Sequence, residues 1–322
     1  MNFLLTEMTF LRYFIPMIIC GNKSGIRSRV FVGASHKYNC PRRDSNLVEL
    51  TSLSQDHEFD LHEIEDVLAF PGLTFLVEGV GRQYLNHTHK KVSFTYMTDF
   101  VINRKYENEV DFIVAPSEDF VKRNKVYSDK FVFLGSPKYD IDFIPSSEIK
   151  EKYGIDNKEN KKNALVVFPR ARDLSRIDMS KLYKAVSEKG YNVIVKTRGK
   201  DPIPAHLKGD YDFSDFTWFP HSSLELIRIS DVVVNFSSTV IKECVMLDTP
   251  LINFHIKPFD RPLDYLYRYN YSKDMKISVD NKQIADALSF FDKASSLEFN
   301  LAKNNHLFEA SGVCQKTIQK FI

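Results

Sequence analysis

Short runs of consecutive apolar residues, with little alternation between apolar and polar positions, mark the strands of this chain. Such runs are typical of parallel strands that are buried on both faces of a sheet. The predicted strands in the first half are Asn2–Leu5, Arg29–Gly33, Leu73–Val77, Val92–Tyr96, Phe112–Ala115 and Phe131–Leu134. Those in the second half are Ala164–Phe168, Asn192–Lys196, a short strand within Tyr211–Phe219, Val232–Val234 and Leu251–Phe254.

Helices are predicted between these strands, where apolar residues recur at helical spacing. They cover Met8–Gly21, Leu61–Ala69, Glu118–Lys125, Asp178–Lys189, Ser223–Ile229, Asn281–Phe291 and Leu297–Phe321. The regular exchange of strands and helices predicts the α/β class with parallel sheets.

The strand–helix pattern runs through the chain twice, which predicts two Rossmann-like βαβ domains facing a cleft. The seam falls near residues 144–163, where Pro145, two serines and a dense run of charges interrupt the apolar pattern. We therefore place an amino-terminal domain at residues 1–145 and a carboxyl-terminal domain at residues 146–322, with the last helix a candidate to pack back on the first domain. A chain of 322 residues is long enough for two such domains.

Composition and charge narrow the classes of function. The chain is 43% apolar and 27% charged, as a globular protein should be, and its net charge of +2 is too small to favour nucleic acid as a partner. Four scattered cysteines favour reduced thiols in a cytoplasmic protein. The apolar segment Met1–Cys20 is interrupted by Glu7, Arg12 and Pro16, so it predicts a buried strand and helix, not a signal peptide or a membrane span.

A polar turn after the predicted strand Val232–Val234 is the strongest sign of a binding site. The segment reads Asp231-Val-Val-Val-Asn-Phe-Ser-Ser-Thr239 and continues into a short helix. Ser237, Ser238 and Thr239 can cap this helix, while its free backbone N–H groups and positive dipole end face whatever binds there. The arrangement predicts a cradle for a phosphate-like ligand at the carboxyl edge of a parallel sheet.

An ordered set of motifs resembles a known family, the CDP-glycerol glycerophosphotransferases, which make teichoic-acid polymers. Gly135-Ser-Pro-Lys-Tyr-Asp140 resembles the Gly-x-Pro-Arg-x-Asp signature of that family. Phe168-Pro-Arg-Ala-Arg-Asp173 is similar to its Pro-Thr-x-Arg strand end, and Asn235-Phe-Ser-Ser238 to its Asp-Tyr-Ser-Ser turn. Order and spacing agree over roughly residues 73–254. The resemblance implies the GT-B fold of nucleotide-sugar glycosyltransferases, among which capsule enzymes also carry Ser-Ser at this turn.

The departures from the family pattern leave the donor open. Asn235-Phe236 stands where the family has Asp-Tyr, and Glu78-Gly79 stands where it has His-Gly, so a sugar nucleotide fits as well as CDP-glycerol. The UDP-N-acetylglucosamine 2-epimerases share the fold and have Asp-Ser-Gly-Gly at the phosphate turn. The missing glycines count against the epimerase interpretation.

The resemblance implies a nucleotide diphosphate donor held by the carboxyl-terminal domain. Cations at strand ends would clamp the diphosphate, and which of Arg170, Arg172, Lys196 and Arg198 do so stays open. The strand-end segment Trp218–His221 would hold the nucleobase, and Glu243 would reach the ribose hydroxyls. The predicted donor-binding residues are Arg170, Arg172, Lys196, Arg198, Phe219, Ser237, Ser238, Thr239, Glu243, Ser136 and Lys138.

A general base is expected in the amino-terminal domain, because the acceptor docks there in this family. Glu78 is preferred, since it ends the predicted third strand and is followed by flexible glycines. Glu7, after the first strand, and His36, after the second, are alternatives at the same sheet edge. His87 and His89 have no third ligand nearby, so no metal site is expected.

Together these features predict a glycosyltransferase that moves a sugar from a UDP- or CDP-type nucleotide sugar to a hydroxyl of a glycan or lipid-linked acceptor. It would act with inversion and without a metal or other cofactor, in surface glycan or glycopolymer biosynthesis. The alternatives are a CDP-glycerol-type polyol-phosphate transferase, a 2-epimerase-like enzyme and a non-catalytic nucleotide-sugar binding subunit. A cytoplasmic location is expected, the basic-aromatic segment Tyr265–Lys273 is a candidate for peripheral membrane contact, and the oligomeric state stays open.

Overall fold

A computed structural model of the chain describes residues 1–33, 43–95, 108–124, 129–156, 161–197, 203–214, 218–236, 238, 240–255, 272–276, 279–293 and 311–322. The chain divides into two units, of which the first comprises Met1–Asp142 and Leu307–Ile322 and the second Phe143–His306. Each unit is built on one parallel sheet.

The first sheet has seven strands in the order β3-β2-β1-β4-β5-β6-β7, and every neighbouring pair is parallel. Its strands are β1 Asn2–Leu5, β2 Ser28–Val32, β3 Phe59–Glu63, β4 Gly72–Val77, β5 His89–Phe94, β6 Phe112–Ala115 and β7 Phe131–Phe133. The second sheet has six strands in the order β10-β9-β8-β11-β12-β13, again all parallel. Its strands are β8 Lys162–Val167, β9 Tyr191–Lys196, β10 Tyr211–Phe213, β11 Val232–Asn235, β12 Leu251–His255 and β13 Ser272–Lys276.

Helices connect these strands in the described part of the chain. They are α1 Leu11–Lys23, α2 Arg43–Asp56, α3 Glu118–Asn124, α4 Ser146–Lys152, α5 Met179–Ser187, α6 Ser222–Arg228, α7 Val240–Met246, α8 Asn281–Lys293 and α9 Val313–Phe321. None of them is both long enough and apolar enough to traverse a lipid bilayer.

Strand β8 shows why the apolar runs lack alternation. Ala164 and Val166 pack in one core cluster, whereas Leu165 and Val167 pack in a second one. The first cluster includes apolar residues of α5 and α8, and the second includes residues of α4, α6 and α7. Because helices cover both faces of the sheet, all four positions from Ala164 to Val167 are apolar.

A row of aromatic rings lies in the core of the first unit. Phe3 on β1 stacks on Phe75 of β4 with ring centroids 5.3 Å apart, and Phe75 stacks on Phe94 of β5 at 5.4 Å. Phe14 of α1 lies 5.2 Å from Phe3. The row joins three neighbouring strands to the first helix, and so fixes the central strands whose ends carry candidate site residues.

The last helix belongs to the first unit. Asp140, which ends the Gly-Ser-Pro-Lys-Tyr-Asp segment, accepts hydrogen bonds from the backbone N–H groups of Gly312 at 3.0 Å and Cys314 at 2.7 Å. At the other end of α9, Lys90 Nζ donates to the carbonyl oxygen of Phe321 at 3.0 Å. The carboxylate thus satisfies N–H groups that the start of a helix leaves without partners.

The predicted elements need one correction and two additions. The helix predicted at Leu61–Ala69 is wrong, because the chain forms edge strand β3 and then a 3-10 helix at Ile64–Ala69. Leu61 is 36% exposed on that edge, so its spacing to the buried Ile64 imitated a helical stripe. Helix α2 and edge strand β13 were not predicted, since neither contains an apolar run. Of the helix predicted at Leu297–Phe321, α9 is described, whereas residues 294–310 lie outside the described residues.

Candidate functional site

The order of the second sheet has a topological switch point between β8 and β11. From β8 the chain moves outward to β9 and β10 on one side, and then from β11 to β12 and β13 on the other. In open α/β sheets ligands bind outside the carboxyl ends of the strands at such a point. The residues that follow β8 and β11 are therefore the strongest candidates for a binding site.

Arg170 follows β8 at this edge. The strand ends at Val167, and the N–H of Phe168 still donates to the carbonyl oxygen of Lys196 at the end of β9, at 2.9 Å. Pro169 is buried, whereas Arg170 is exposed and directly precedes a 3-10 helix at Ala171–Arg176. Arg170 is thus exposed beside the switch point, where its guanidinium is accessible to an anionic ligand.

The turn after β11 lies on the other side of the switch point. Asn235 ends the strand, and Ser238 is buried. The carbonyl oxygen of Ser238 accepts from the side-chain amide of Asn235 at 3.2 Å and from the N–H of Ile241 at 3.5 Å. Ser237 and Thr239, the other hydroxyl residues predicted here, lie outside the described residues.

Three further donor candidates belong to the second unit. Lys196 ends β9 and is buried, with Nζ donating to the carbonyl oxygen of Thr197 at 3.0 Å. Phe219 is half-buried in the segment between β10 and α6, and Glu243 is buried in the first turn of α7. The burial of Glu243 distinguishes it from an ordinary solvated helix carboxylate.

The remaining predicted residues belong to the first unit or lie wholly or partly outside the described residues. Ser136 and Lys138 belong to the first unit, where Ser136 is buried and Lys138 Nζ lies 4.9 Å from the ring centroid of Tyr139. Arg198 and His36 lie outside the described residues, and only the backbone of Arg172 is described. Their roles stay predictions.

The first sheet has its own switch point, between β1 and β4, and two carboxylates follow these strands. Glu7 comes shortly after β1 and Glu78 directly after β4. Glu7 is exposed and accepts from Thr9 Oγ1 at 3.4 Å, whereas Glu78 is half-buried. Two of the three predicted general bases therefore occupy the position where a ligand of this sheet would bind.

The backbone at Glu78 has an unusual conformation. Its φ is 53°, in the left-handed region that residues with a Cβ avoid, and Gly79 follows with φ 63°. Neighbouring strand β5 holds this turn, because the N–H of Glu78 donates to the carbonyl oxygen of Phe94 at 2.8 Å and the N–H of Gly79 donates to Ser93 Oγ at 2.8 Å. Strained residues that the surrounding structure holds in place cluster at functional sites. Ser93, a fully buried hydroxyl on β5, is a supporting residue that the sequence analysis missed.

Gly81 lets the Glu78 turn approach β1. Its φ is 90°, and an added Cβ would lie 2.9 Å from Leu4 Cδ2 and 3.0 Å from Thr6 Cγ2. Gly81→Ala is therefore expected to lower the free energy of unfolding by about 2 kcal/mol and to reduce turnover as well. Gly25→Ala is the matched control, because Gly25 has φ 71° with no atom within 4 Å of the added Cβ. We expect it to cost about 1 kcal/mol, without effect on turnover. Equal costs in chemical denaturation would show that Gly81 does not act through this close approach.

His89 and two of the cysteines have structural explanations. His89 is buried, with Nδ1 2.9 Å from Asn86 Oδ1 and Nε2 3.1 Å from the carbonyl oxygen of Val67, so both ring nitrogens have partners. Burial raises the pKa of the Cys244 and Cys314 thiols well above the ordinary value, which keeps them protonated and unreactive. Among the residues that the structure describes, no three His, Cys, Asp or Glu side chains group as metal ligands would.

The parallel order of both sheets, each with a switch point at its centre, defines a chain of two Rossmann-like units. Solved structures with two such units have the GT-B fold. The chain is similar to UDP-N-acetylglucosamine 2-epimerase from Neisseria meningitidis bound to UDP-GlcNAc, with TM-score 0.65 and 12% identity over 99% of this chain and 98% of that one. It is also similar to the glycotransferase of kitacinnamycin, with TM-score 0.63 and 9% identity over 100% and 98% of the two chains. The wall teichoic acid polymerase TagF matches with TM-score 0.63 and 11% identity over 99% and 87%.

These likenesses confirm the predicted α/β class and GT-B fold. Neither a family model nor a curated protein sequence matches the chain. Since the structural neighbours include epimerases, a glycosyltransferase and a polymerase, their shared fold leaves the reaction to be argued from the site residues.

Proposed function

We propose that the protein is a nucleotide-sugar-dependent glycosyltransferase whose second unit binds the donor. The observation that carries the proposal is the placement of Arg170 and the Asn235–Ser238 turn on the two sides of the switch point of the second sheet. A guanidinium and a polar turn at this edge suit a diphosphate, which offers several acceptor oxygens and negative charge. Lys196 adds a second cation at the end of the neighbouring strand.

The proposed reaction uses a carboxylate of the first unit as general base. Glu78 accepts the proton of an acceptor hydroxyl, and the oxygen uses the freed electron pair to attack the anomeric carbon of the donor sugar. The bond from that carbon to the diphosphate oxygen breaks, and its electron pair leaves with the nucleoside diphosphate. Arg170 stabilises the charge that develops on this leaving group. Attack from the face opposite the leaving group inverts the anomeric centre.

A ligand screen tests the class of donor. Addition of UDP, CDP or GDP, alone or with a sugar or glycerol attached, should raise the unfolding temperature if the folded protein binds it. Stabilisation by a UDP- or CDP-sugar supports the proposed donor, and stabilisation by CDP-glycerol alone supports the polyol-phosphate transferase. Absence of any shift across the panel would contradict nucleotide binding.

Arg170→Ala is expected to weaken donor binding by about 10- to 100-fold, because a charge-assisted hydrogen bond to phosphate contributes about 1.5–3 kcal/mol. Titration calorimetry with the nucleotide that stabilises the wild type measures this loss. Arg176→Ala is the matched control, since Arg176 is an exposed arginine at the far end of the same 3-10 helix. An equal effect of both substitutions would point to the general positive charge, and not to a contact made by Arg170.

A 2-epimerase-like reaction is the second candidate, because an epimerase is among the solved structures with this fold. The turn Asn235–Ser238 has no glycine, which separates it from the Asp-Ser-Gly-Gly turn of the epimerases. Incubation with UDP-N-acetylglucosamine alone, followed by NMR of the sugar, distinguishes the reactions. Inversion at C2 without an acceptor would establish the epimerase, and binding without turnover over a panel of acceptors would favour a non-catalytic subunit.

A further inference from the structure

Asn235 makes two side-chain hydrogen bonds at the carboxyl end of β11, where it is fully buried. Its Nδ2 donates to the carbonyl oxygen of Ser238 at 3.2 Å. The same nitrogen donates to Oδ1 of Asn253, the register partner of Asn235 on β12, at 2.8 Å. One amide therefore ties the turn after β11 both to its own strand and to the neighbouring strand.

The chemistry of an amide is required at this position. Both partners present acceptor oxygens, and because the backbone carbonyl of Ser238 can only accept, residue 235 has to supply an N–H donor to it. A carboxylate of the same shape has only acceptors and would place oxygen against the carbonyl of Ser238. Leucine has a similar shape, but its side chain has neither hydrogen-bond donors nor acceptors.

The amide oxygen shows that this orientation is kept at a cost. Oδ1 of Asn235 is buried and makes no hydrogen bond in the part of the chain that the structure describes. Rotating the amide would turn this oxygen toward Ser238, so that oxygen would face the carbonyl oxygen of Ser238, and Asn253 would have to reverse its own amide. The side chain thus leaves an acceptor unsatisfied, which is unfavourable in a protein interior, and keeps its hold on the turn.

We propose that Asn235 is a positioning residue for donor binding, which holds the Ser238 turn in the shape that receives the diphosphate of a nucleotide. This inference rests on the proposed function of the second unit. In this inference Asn235 contacts the turn and not the bound nucleotide. Its role depends on the hydrogen bonds that its side-chain N–H groups donate.

The same sheet offers a matched control at its opposite edge. Asn163 stands near the start of β8 and is also buried. Its Nδ2 donates to the carbonyl oxygen of Ile229 at 3.2 Å, and its Oδ1 accepts from Nδ2 of Asn192 at 3.1 Å. Substitution of Asn163 removes a buried amide with similar bonds from the amino edge of the sheet, away from the switch-point turn.

The experiment compares Asn235→Leu with Asn163→Leu in the full chain. Titration with UDP, CDP and GDP measures nucleotide affinity, and chemical denaturation measures stability. Both variants should lose stability, but only Asn235→Leu should raise the dissociation constant of the nucleotide, by at least 10-fold. In turnover assays its donor KM should rise, with the acceptor KM unchanged.

The outcomes separate this inference from the proposed function. If the wild type binds none of the three nucleotides, both are overturned. If the wild type binds one of them and the two leucine variants bind it equally well, only the role of Asn235 is overturned. Should Asn235→Leu fail to fold, Asn235→Asp replaces it and Asn163→Asp becomes its control. Asn253 can then reverse its amide to donate to the new carboxylate, so that only Ser238 loses its donor, and the same 10-fold loss is expected.

Discussion

Glu78→Gln is expected to lower turnover by about 100- to 10,000-fold while leaving nucleotide affinity unchanged, because glutamine keeps the shape of the side chain and cannot accept a proton from the acceptor. The release of nucleoside diphosphate from the donor identified by the ligand screen measures the rate, and calorimetry measures the affinity. Glu7→Gln is the companion variant, since Glu7 follows β1 on the other side of the same switch point. A normal rate for Glu78→Gln with a strong loss for Glu7→Gln would transfer the role to Glu7.

The left-handed backbone of Glu78 supplies an independent measurement. Glycine relieves a left-handed strain of about 1–2 kcal/mol, partly offset by its greater freedom in the unfolded chain. Glu78→Gly should therefore be at least as stable as the wild type and yet inactive. Glu58 and Asp248 have nearly the same φ, 51° and 52°, in turns that follow α2 and α7. Their glycine variants should gain similar stability and keep full turnover. A large loss of stability confined to Glu78→Gly would mean that this side chain is retained for folding.

Lys152→Met is expected to lower the free energy of unfolding of the second unit by about 3 kcal/mol, because it leaves the carboxylate of Glu225 buried without its cation. Glu225 on α6 is only 4% exposed. Its oxygens accept from Lys152 Nζ of α4 at 2.9 and 2.7 Å and from the Tyr153 hydroxyl at 2.6 Å. These bonds hold α4 against the helix that leads into β11.

Lys162→Met provides the comparison for this loss. Lys162 Nζ lies 2.8 Å from Asp292 Oδ1, a distance like that to Glu225, but both side chains are more than half exposed. We expect that substitution to cost less than about 1 kcal/mol, since water replaces the exposed partner. Urea unfolding of both variants tests the contrast. Equal losses would show that burial of Glu225 does not decide the energy of its ion pair.

The central strands could be predicted from sequence because burial on both faces favours apolar residues there. β8 and β11 have helices on both faces, so each is written as a continuous apolar run. The edge strands β3 and β13 have no such run: their sequences are Phe-Asp-Leu-His-Glu and Ser-Lys-Asp-Met-Lys. Helix α2 lacks a continuous apolar stripe, so no helical spacing of apolar residues marks it in the sequence.

The sequence could predict candidate site residues only where they directly follow a predicted strand. Arg170, Ser238 and Glu78 became candidates because a charged or hydroxyl residue follows an apolar run, and their roles stay predictions. The proposed role of Asn235 could not be predicted from its position after a strand. Its partner Asn253 lies on the next strand, and no local sequence pattern indicates their hydrogen bond. Ser93 was missed for the same reason, because its bond to the Gly79 N–H joins β5 to the turn after β4.

The clasp that Asp140 forms on α9 has a consequence for biosynthesis. The ribosome makes β1–β7 and Asp140 early, but the helix that this carboxylate caps is made only after every strand of the second unit. The second unit can therefore fold on the growing chain while the first still lacks its final helix. Until α9 is made, the surface of α1 that packs against it is uncovered, so completion of the first unit waits for synthesis of the second.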